Sequence, residues 1–329
     1  MFPVVLGLSV FTKSHDKEED ETNVREDIRK FSILKKNKFS ADVDDDSKVI
    51  FTLKRAKLAE IKQKLDEAEE LYHEALALVR VHRQEKSWSQ EKILQAQVYI
   101  YDCMANLALV RGQLSNAEKL FKATIQGLLQ QGKRPDDNAI VELSLKLAMI
   151  NAAQHRSSEA ELGYQFCIDT QQRKIDSAAA AAESDIDTDT VALLGMSVDA
   201  YSRFLVTHKD YVAAMRNLHK ALEIAVSVLG ETHQQVAVLL SDIATVASLT
   251  NDFDTAQDKL LRAVDIAEKI DSSHLPTMYY NLAAVYSHQQ NPTQAQAFYK
   301  KAIKSAKRLD DKEALRKAEE GLSKLTSNK

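Results

Sequence analysis

Glycine and proline are scarce in this sequence, with 8 and 4 residues among 329. Proteins average about 7% glycine and about 5% proline, so turns that need a positive or a fixed φ are predicted to be few. This shortage argues against β-sandwiches, barrels and glycine-rich nucleotide folds. It favours long helices that are joined by short polar connections.

Cysteine is also rare, since Cys103 and Cys167 are the only two. Two thiols exclude a disulfide scaffold and a structural zinc site built on several thiolates. The net charge is −4, which provides no global basic field to hold nucleic acid, so no nucleic-acid partner is expected. The longest apolar run, residues 2–11, is too short to span a bilayer, which takes about 20 residues.

Recognised catalytic motifs are missing. The sequence contains no HExxH, P-loop, GxSxG or GxGxxG motif. The 9 histidines include no pair at i and i+4, the spacing of a helical metal site. Neither cysteine has an identifiable acid–base partner nearby in sequence. The sequence therefore predicts a protein with no catalytic residues, no metal and no other cofactor.

The first 48 residues differ in composition from the rest. Residues 1–12 are apolar, residues 16–21 hold five acids, and residues 29–38 are basic. Charge blocks of this kind usually stay solvated. We predict that residues 1–48 form an apolar N-terminal stub and a flexible charged arm, with a marginal helix around residues 24–36.

A repeated pattern follows from about residue 49. A small residue, a bulky one four positions later and a small one three positions after that recur six times. These spacings place all three on one helix face, where small residues let a neighbouring helix approach closely. The sets are Ala68, Tyr72, Ala75; Ala117, Phe121, Thr124; Ala160, Tyr164, Cys167; Ala214, Leu218, Ala221; Ala256, Leu260, Ala263; and Ala295, Tyr299, Ala302. Another small residue precedes each set by twelve positions: Ala56, Ala105, Ala148, Ser202, Ala244 and Ala283.

Two helices with these positions form the tetratricopeptide pattern. Its usual period is about 34 residues, whereas the first alanines of the six sets lie 39–54 residues apart. The excess predicts longer helices and longer loops between repeats. The predicted array, residues 49–309, has repeats near residues 49–82, 98–131, 141–174, 195–228, 237–270 and 276–309.

Two further segments complete this organisation. The low-complexity residues 171–190 predict a mobile insert, either a loop or a frayed helix extension. An apolar stripe that starts at Leu315 predicts that residues 310–329 form a capping helix and tail. The predicted fold is all-α: a right-handed superhelical tetratricopeptide-repeat solenoid of about six helix pairs plus a C-terminal capping helix.

The first helices of such repeats line a concave groove, so their polar side chains are candidate peptide contacts. Polar side chains bond an extended peptide backbone, and tyrosine adds anchoring area. The predicted groove residues are Tyr99, Asp102, Asn106, Asp199, Arg203, Ser241, Thr245 and Tyr280. A clamp for a C-terminal carboxylate would need several cations, and the repeat that holds Asp102 offers none. The alternative is an ordinary solvated face.

Several stretches are more specific than a generic repeat demands: residues 53–58, 104–108, 111–114, 116–124, 137–140, 145–148, 163–168, 194–196 and 199–203. Together they resemble a family of mitochondrial tetratricopeptide-repeat proteins that maintain respiratory complex III. The likeness covers about residues 50–320. The resemblance implies a non-enzymatic scaffold at the mitochondrial inner membrane. Its partners would be complex III subunits, including the Rieske protein, whose N-terminal fragments it helps to clear.

Members of that family carry a presequence and a hydrophobic anchor before an acidic spacer. This sequence has a short apolar start and then acids. The resemblance thus implies membrane association through an N-terminal anchor that is incomplete in this sequence. The long repeats, with Gly230 suited to a helix C-cap, also resemble those of kinesin light chains. The alternative function is therefore a cytosolic cargo adaptor of the kinesin-light-chain kind.

Overall fold

The structure, a computed structural model, describes residues 46–181 and 187–327. These ranges contain thirteen α-helices and no strand. The helices are α1 (Asp46–Ile61), α2 (Leu65–Gln84), α3 (Gln90–Val110), α4 (Leu114–Gln130), α5 (Asn138–Ala153), α6 (Ser157–Ala180), α7 (Thr188–Thr207), α8 (Tyr211–Leu229), α9 (Gln234–Leu249), α10 (Phe253–Lys269), α11 (Leu275–His288), α12 (Pro292–Leu309) and α13 (Lys312–Ser327). Six helical hairpins and a last helix confirm the predicted all-α tetratricopeptide-repeat fold.

The chain divides into two compact units within α6, between Arg173 and Lys174. In the N-terminal unit α1 packs on α2, α2 on α3, α3 on α4, and α4 on α5. In the C-terminal unit each helix from α7 to α13 packs on the next, and α13 also reaches α11. Each unit is therefore a stack in which one hairpin covers the next.

The small and bulky positions of the repeat form the interior. All eighteen side chains of the six sets are at most 1% exposed, as are the six small residues of the first helices. At one close approach, a Cβ added to Gly163 would lie 2.8 Å from Cβ and 3.3 Å from Cα of Ala148. Helices α5 and α6 thus meet almost backbone to backbone, which only small side chains permit.

One turn geometry joins the two helices of every hairpin. Its middle residue has a φ between 57° and 70°, and the N–H of the next residue bonds the carbonyl five positions earlier at 2.8–3.0 Å. This is the Schellman pattern. The middle residues are Gln63, Gly112, His155, Lys209, Asn251 and Gln290. The expectation that scarce glycine means few positive-φ turns is therefore wrong, because packing of both helices holds five residues with side chains in this conformation.

These strained turns offer a route to stabilisation. We expect His155→Gly and Lys209→Gly each to raise the free energy of unfolding by about 0.5–1 kcal/mol, because glycine adopts a positive φ without a Cβ clash. Both side chains are exposed, so little packing is lost. Urea unfolding followed by circular dichroism measures the gain. Gly112→Ala, with a φ of 70°, is the matched change of opposite sign; a gain there would contradict the argument.

The first helices of two hairpins begin earlier than predicted. Helix α3 starts at Gln90 and α7 at Thr188, whereas the repeats were expected from residues 98 and 195. Polar caps set these starts: Ser89 Oγ accepts the N–H of Lys92 at 3.2 Å, and Asp187 Oδ1 accepts that of Asp189 at 3.1 Å. The longer helices account for part of the long repeat period.

Much of the predicted insert at residues 171–190 is helical. Residues 171–180 continue α6 instead of forming a loop, since the alanine-rich run favours helix. The buried Gln171 amide also donates to Oδ1 of Asn138 at 3.0 Å. Residues 182–186, in the centre of the insert, and residues 1–45, which contain nearly all of the predicted stub and arm, lie outside the described residues.

Helix α13 packs on the last hairpin through small residues. Ala314, Ala318 and Gly321 are its buried positions, and the predicted stripe from Leu315 lies half-buried beside them. A Cβ added to Gly321 would lie 2.5 Å from Cε1 of Tyr299. The ring of Tyr299 therefore occupies the space that the missing side chain leaves.

Helix α3 is long and apolar enough to cross a membrane by length and composition. In this fold, 61% of its 18-residue apolar window is buried inside the protein. The helix packs on both α2 and α4. Its place within a helical stack accounts for its apolar composition.

Candidate functional site

In the N-terminal unit, the predicted residues Tyr99, Asp102 and Asn106 share one face of α3. Asp102 is 7% exposed. The Asn106 amide donates to the Asp102 carbonyl at 2.7 Å and to its carboxylate Oδ1 at 3.0 Å. Tyr99 is half-buried one turn earlier. The structure thus brings Asp102 and Asn106 into direct contact.

An ion pair on α5, which was not predicted from the sequence, extends this set. Lys146 Nζ lies 2.9 Å from Glu142 Oε1 and donates to Asn106 Oδ1 at 3.1 Å. The two charged side chains are 3% and 1% exposed. We call Asp102, Asn106, Glu142 and Lys146 the N-terminal cluster. It joins the first helices of two successive hairpins through buried polar groups.

Cations from neighbouring repeats therefore reach the Asp102 repeat, which has none of its own. Burial raises the pKa of the Asp102 carboxyl above its usual value, while the positive charges of Lys146 and Lys57 oppose that rise. The expectation of no cation at this position holds only within one repeat, because the stacking of hairpins supplies the charges from both sides.

The thiols near these residues are poor nucleophiles. Burial raises the pKa of Cys103 to about 11 and that of Cys167 to about 12. The two residues are 2% and 0% exposed. Since the thiolate is the reactive form, both cysteines are protonated and inert at neutral pH. They act as small packing residues.

In the C-terminal unit, Arg203 on α7 holds two carboxylates. Its Nη2 and Nε lie 3.1 and 3.3 Å from Oδ2 and Oδ1 of Asp199, and Nη2 lies 3.4 Å from Oδ2 of Asp242 on α9. The Gln235 amide donates to Asp199 at 3.4 Å. We call Asp199, Arg203, Gln235 and Asp242 the C-terminal cluster. The three charged side chains are 13% exposed or less.

The other predicted residues of this unit lie deeper than expected. Ser241 and Thr245 are 4% and 1% exposed, and the Thr245 hydroxyl donates to the Ser241 carbonyl at 2.9 Å. Tyr280 is 7% exposed and meets the edge of the Tyr299 ring, with centroids 5.7 Å apart. Burial, with the nearby Tyr299 and Glu320, raises the pKa of Tyr280 to about 12. These three side chains contribute more to packing than to an open polar surface.

Asn281 on α11 is a further buried polar residue that was not predicted from the sequence. It is 1% exposed, and neither its Nδ2 nor its Oδ1 has a hydrogen-bond partner among the described residues. A sequence signal exists for it. Lys146, Asp242 and Asn281 each stand two positions before the small residue of their first helix, and this position faces the stack.

Within residues 46–181 and 187–327, no group of three or more histidine, cysteine, aspartate or glutamate side chains could hold a metal ion. The two clusters instead consist of ion pairs and amide hydrogen bonds. Such groups suit recognition of a peptide backbone and of charged side chains.

Comparison with known proteins agrees with this architecture. Tetratricopeptide repeat family models match residues 201–269 and 277–309. The solved structure of BtubC (BKLC) from P. vanneervenii has a TM-score of 0.60 and 17% identity, covering 75% of this chain and 92% of that one. At that identity the likeness shows the fold alone.

Curated relatives are much more similar in sequence. Tetratricopeptide repeat protein 19, mitochondrial, of Homo sapiens is 42% identical over 285 residues, which are 85% of this chain and 73% of the human protein. The Rattus norvegicus protein of the same name is 41% identical over 284 residues, 85% of this chain and 75% of the rat protein. The chain therefore belongs to the mitochondrial tetratricopeptide repeat protein 19 family.

Proposed function

We propose that the protein is a non-catalytic scaffold of the mitochondrial inner membrane that supports assembly and maintenance of respiratory complex III. The observation that carries the proposal is the 42% identity to a mitochondrial relative over 285 residues, a length that must include both clusters. The stacked helical hairpins and the inert thiols support a role in protein binding.

The ligand in this proposal is an extended peptide segment, such as an N-terminal fragment of the Rieske subunit. Among its own members, each cluster holds two carboxylates against one cation: Asp102 and Glu142 against Lys146, and Asp199 and Asp242 against Arg203. Lys57, which also acts on Asp102, is paired with Glu60 outside the cluster. The surplus negative charge favours a segment that carries lysine or arginine. The side-chain oxygens of Asn106 and Gln235 would accept hydrogen bonds from its backbone, since their nitrogens already donate within the clusters.

Binding would serve clearance by holding a released fragment away from complex III. A fragment bound in extended form also presents its backbone to a protease. Both steps need recognition only. Recognition without catalysis suits a fold that consists of stacked helical hairpins.

Affinity purification of the tagged full-length protein from mitochondria tests the proposal. We expect recovery of complex III subunits and of Rieske N-terminal fragments. Asp102→Asn combined with Asp199→Asn removes the surplus charge of each cluster while keeping side-chain shape, and we expect fragment recovery to fall about fivefold or more. Circular dichroism should show unchanged helicity.

The matched control is Asp265→Asn, at a carboxylate that is 60% exposed and pairs with Lys269 on α10. It should retain fragments at the level of the unaltered protein. Equal recovery with the double variant would contradict a role for the clusters. Recovery of motor or cargo proteins without complex III would favour the cytosolic adaptor instead.

A further inference from the structure

Helix α1 presents an apolar and cationic face that no described helix covers. Phe51, Leu58 and Ile61 are 62%, 49% and 77% exposed. The Arg55 guanidinium lies 6.0 Å from the centroid of the Phe51 ring. The α1 outer face consists of Phe51, Lys54, Arg55, Leu58, Ile61 and Lys62, and it contains no acid. Three exposed large apolar side chains on one helix face need a partner.

The corresponding face of later first helices is buried. Phe51 and Leu58 stand five positions before and two positions after Ala56. In four of the five later first helices, side chains at the same two positions are apolar and at most 4% exposed: Ile100 and Leu107 in α3, Leu143 and Ile150 in α5, Leu239 and Val246 in α9, and Met278 and Val285 in α11. In α7 they are Ser197 and Phe204, which are 0% and 5% exposed. In α3 they share one buried cluster with Leu71 and Val79 of the preceding helix α2. The α1 outer face thus has the register of a face that packs on a preceding helix.

An ion pair in the next hairpin supports the same alignment of helices. Arg111, six positions after Ala105, lies 2.6 Å from both Asp66 and Glu69 at the start of α2. Lys62 stands six positions after Ala56. A covering helix with acids at its start would therefore pair with Lys62.

We propose that residues 24–36 of this chain cover the α1 outer face. Val24, Ile28, Phe31 and Leu34 stand at i, i+4, i+7 and i+10, which would place them along one side of a helix. Five acids lie just before them, within residues 16–21. In this stack the start of a second helix lies beside the end of the next first helix, so these acids would come to lie near Lys62.

The spacing along the chain fits this assignment. Val24 precedes Ala56 by 32 residues, and the second helices elsewhere begin 30–45 residues before the next such small residue. Residues 37–45 are left to connect the segment to α1. Because the two partners belong to one chain, a short connection gives an effective concentration of about millimolar, so modest contacts suffice.

Thiol labelling of a Leu58→Cys variant of the full-length protein tests the proposal. The native cysteines are 2% and 0% exposed and should not react in the folded state. We expect slow labelling by a maleimide, and labelling about tenfold faster when Phe31→Asp is added. Ile33→Asp, on the opposite side of the segment, is the matched control and should leave the rate unchanged.

Hydrogen exchange of the α1 amides, compared between the Phe31→Asp and Ile33→Asp variants with Leu58 retained, gives a second readout. Unchanged Trp88 fluorescence verifies folding. Fast labelling in every variant would overturn the proposal. So would protection that grows with protein concentration alongside a doubled mass, because a second copy would then cover the face. Protection that requires vesicles of phosphatidylcholine and about one-fifth cardiolipin would assign the face to a membrane and would equally overturn it.

Discussion

Lys146→Met is expected to lower the unfolding free energy of the N-terminal unit by about 3–5 kcal/mol. Methionine has nearly the same length but leaves the Glu142 carboxylate, 0% exposed, without its cation at 2.9 Å. Asn106 also loses a donor at 3.1 Å. Urea unfolding followed by fluorescence measures the loss, because Trp88 is the only tryptophan and lies 8% exposed within this unit.

Two further variants distinguish the cost of an unpaired buried charge from the cost of lost packing. Adding Glu142→Met should recover most of the loss, because replacing both members of a buried ion pair by apolar side chains of similar volume is close to neutral. Lys122→Met is the exposed control: its amine lies 2.6 Å from Glu118, but the lysine side chain is 59% exposed. We expect it to cost about 0–1 kcal/mol. Equal losses for Lys122→Met and Lys146→Met would contradict the buried-pair interpretation.

Arg203→Met is expected to cost the C-terminal unit a similar amount, about 3–5 kcal/mol. Two carboxylates, Asp199 and Asp242, are 7% and 1% exposed and lose the same guanidinium. This unit has no tryptophan, so hydrogen exchange of the α7 and α9 amides is the suitable measurement. The exchange of both helices should accelerate together, because Arg203 joins them.

Combining Arg203→Met with Asp199→Asn and Asp242→Asn should restore most of the protection. Arg308→Met serves as the exposed control, since its guanidinium lies 2.6 Å from Asp271 with the arginine side chain 51% exposed. We expect little change in amide exchange for Arg308→Met. If the triple variant is no more protected than Arg203→Met alone, uncompensated charge is not the cause of the loss.

The arrangement of hairpins could be predicted from the sequence because each repeat needs small and bulky residues at fixed spacing. Ala117 and Phe121 illustrate this, since close helix contact tolerates few alternatives there. The first residue of each helix was harder to predict, because a single capping residue such as Ser89 determines it. The positive-φ turns could not be predicted, for a physical reason. A positive φ at His155 is imposed by the two helices that flank it and leaves no glycine as a signal.

In the candidate site, too, some contacts could be predicted from the sequence and others could not. Asp199 and Arg203 were predicted together because they are four residues apart on one helix. Glu142 and Lys146 have the same spacing of four residues, but the contact of Lys146 with Asn106 could not be predicted, because the two residues are 40 positions apart on different hairpins. Side chains that meet across hairpins carry no local spacing. Ser241 and Thr245 were predicted to face a groove, but their depth of burial depends on how closely the neighbouring helices approach, which the spacing alone does not give.

The uniform three-residue turns determine where this fold tolerates inserted residues. Each hairpin has three residues between its helices, whereas the loops between successive hairpins have four to seven. One residue inserted into a hairpin turn would disrupt the three-residue geometry, and if it joined the second helix it would rotate the repeat alanines by about 100°, out of the interior. Evolutionary insertions, and equally an engineered epitope or fluorophore, therefore belong in the connections between hairpins.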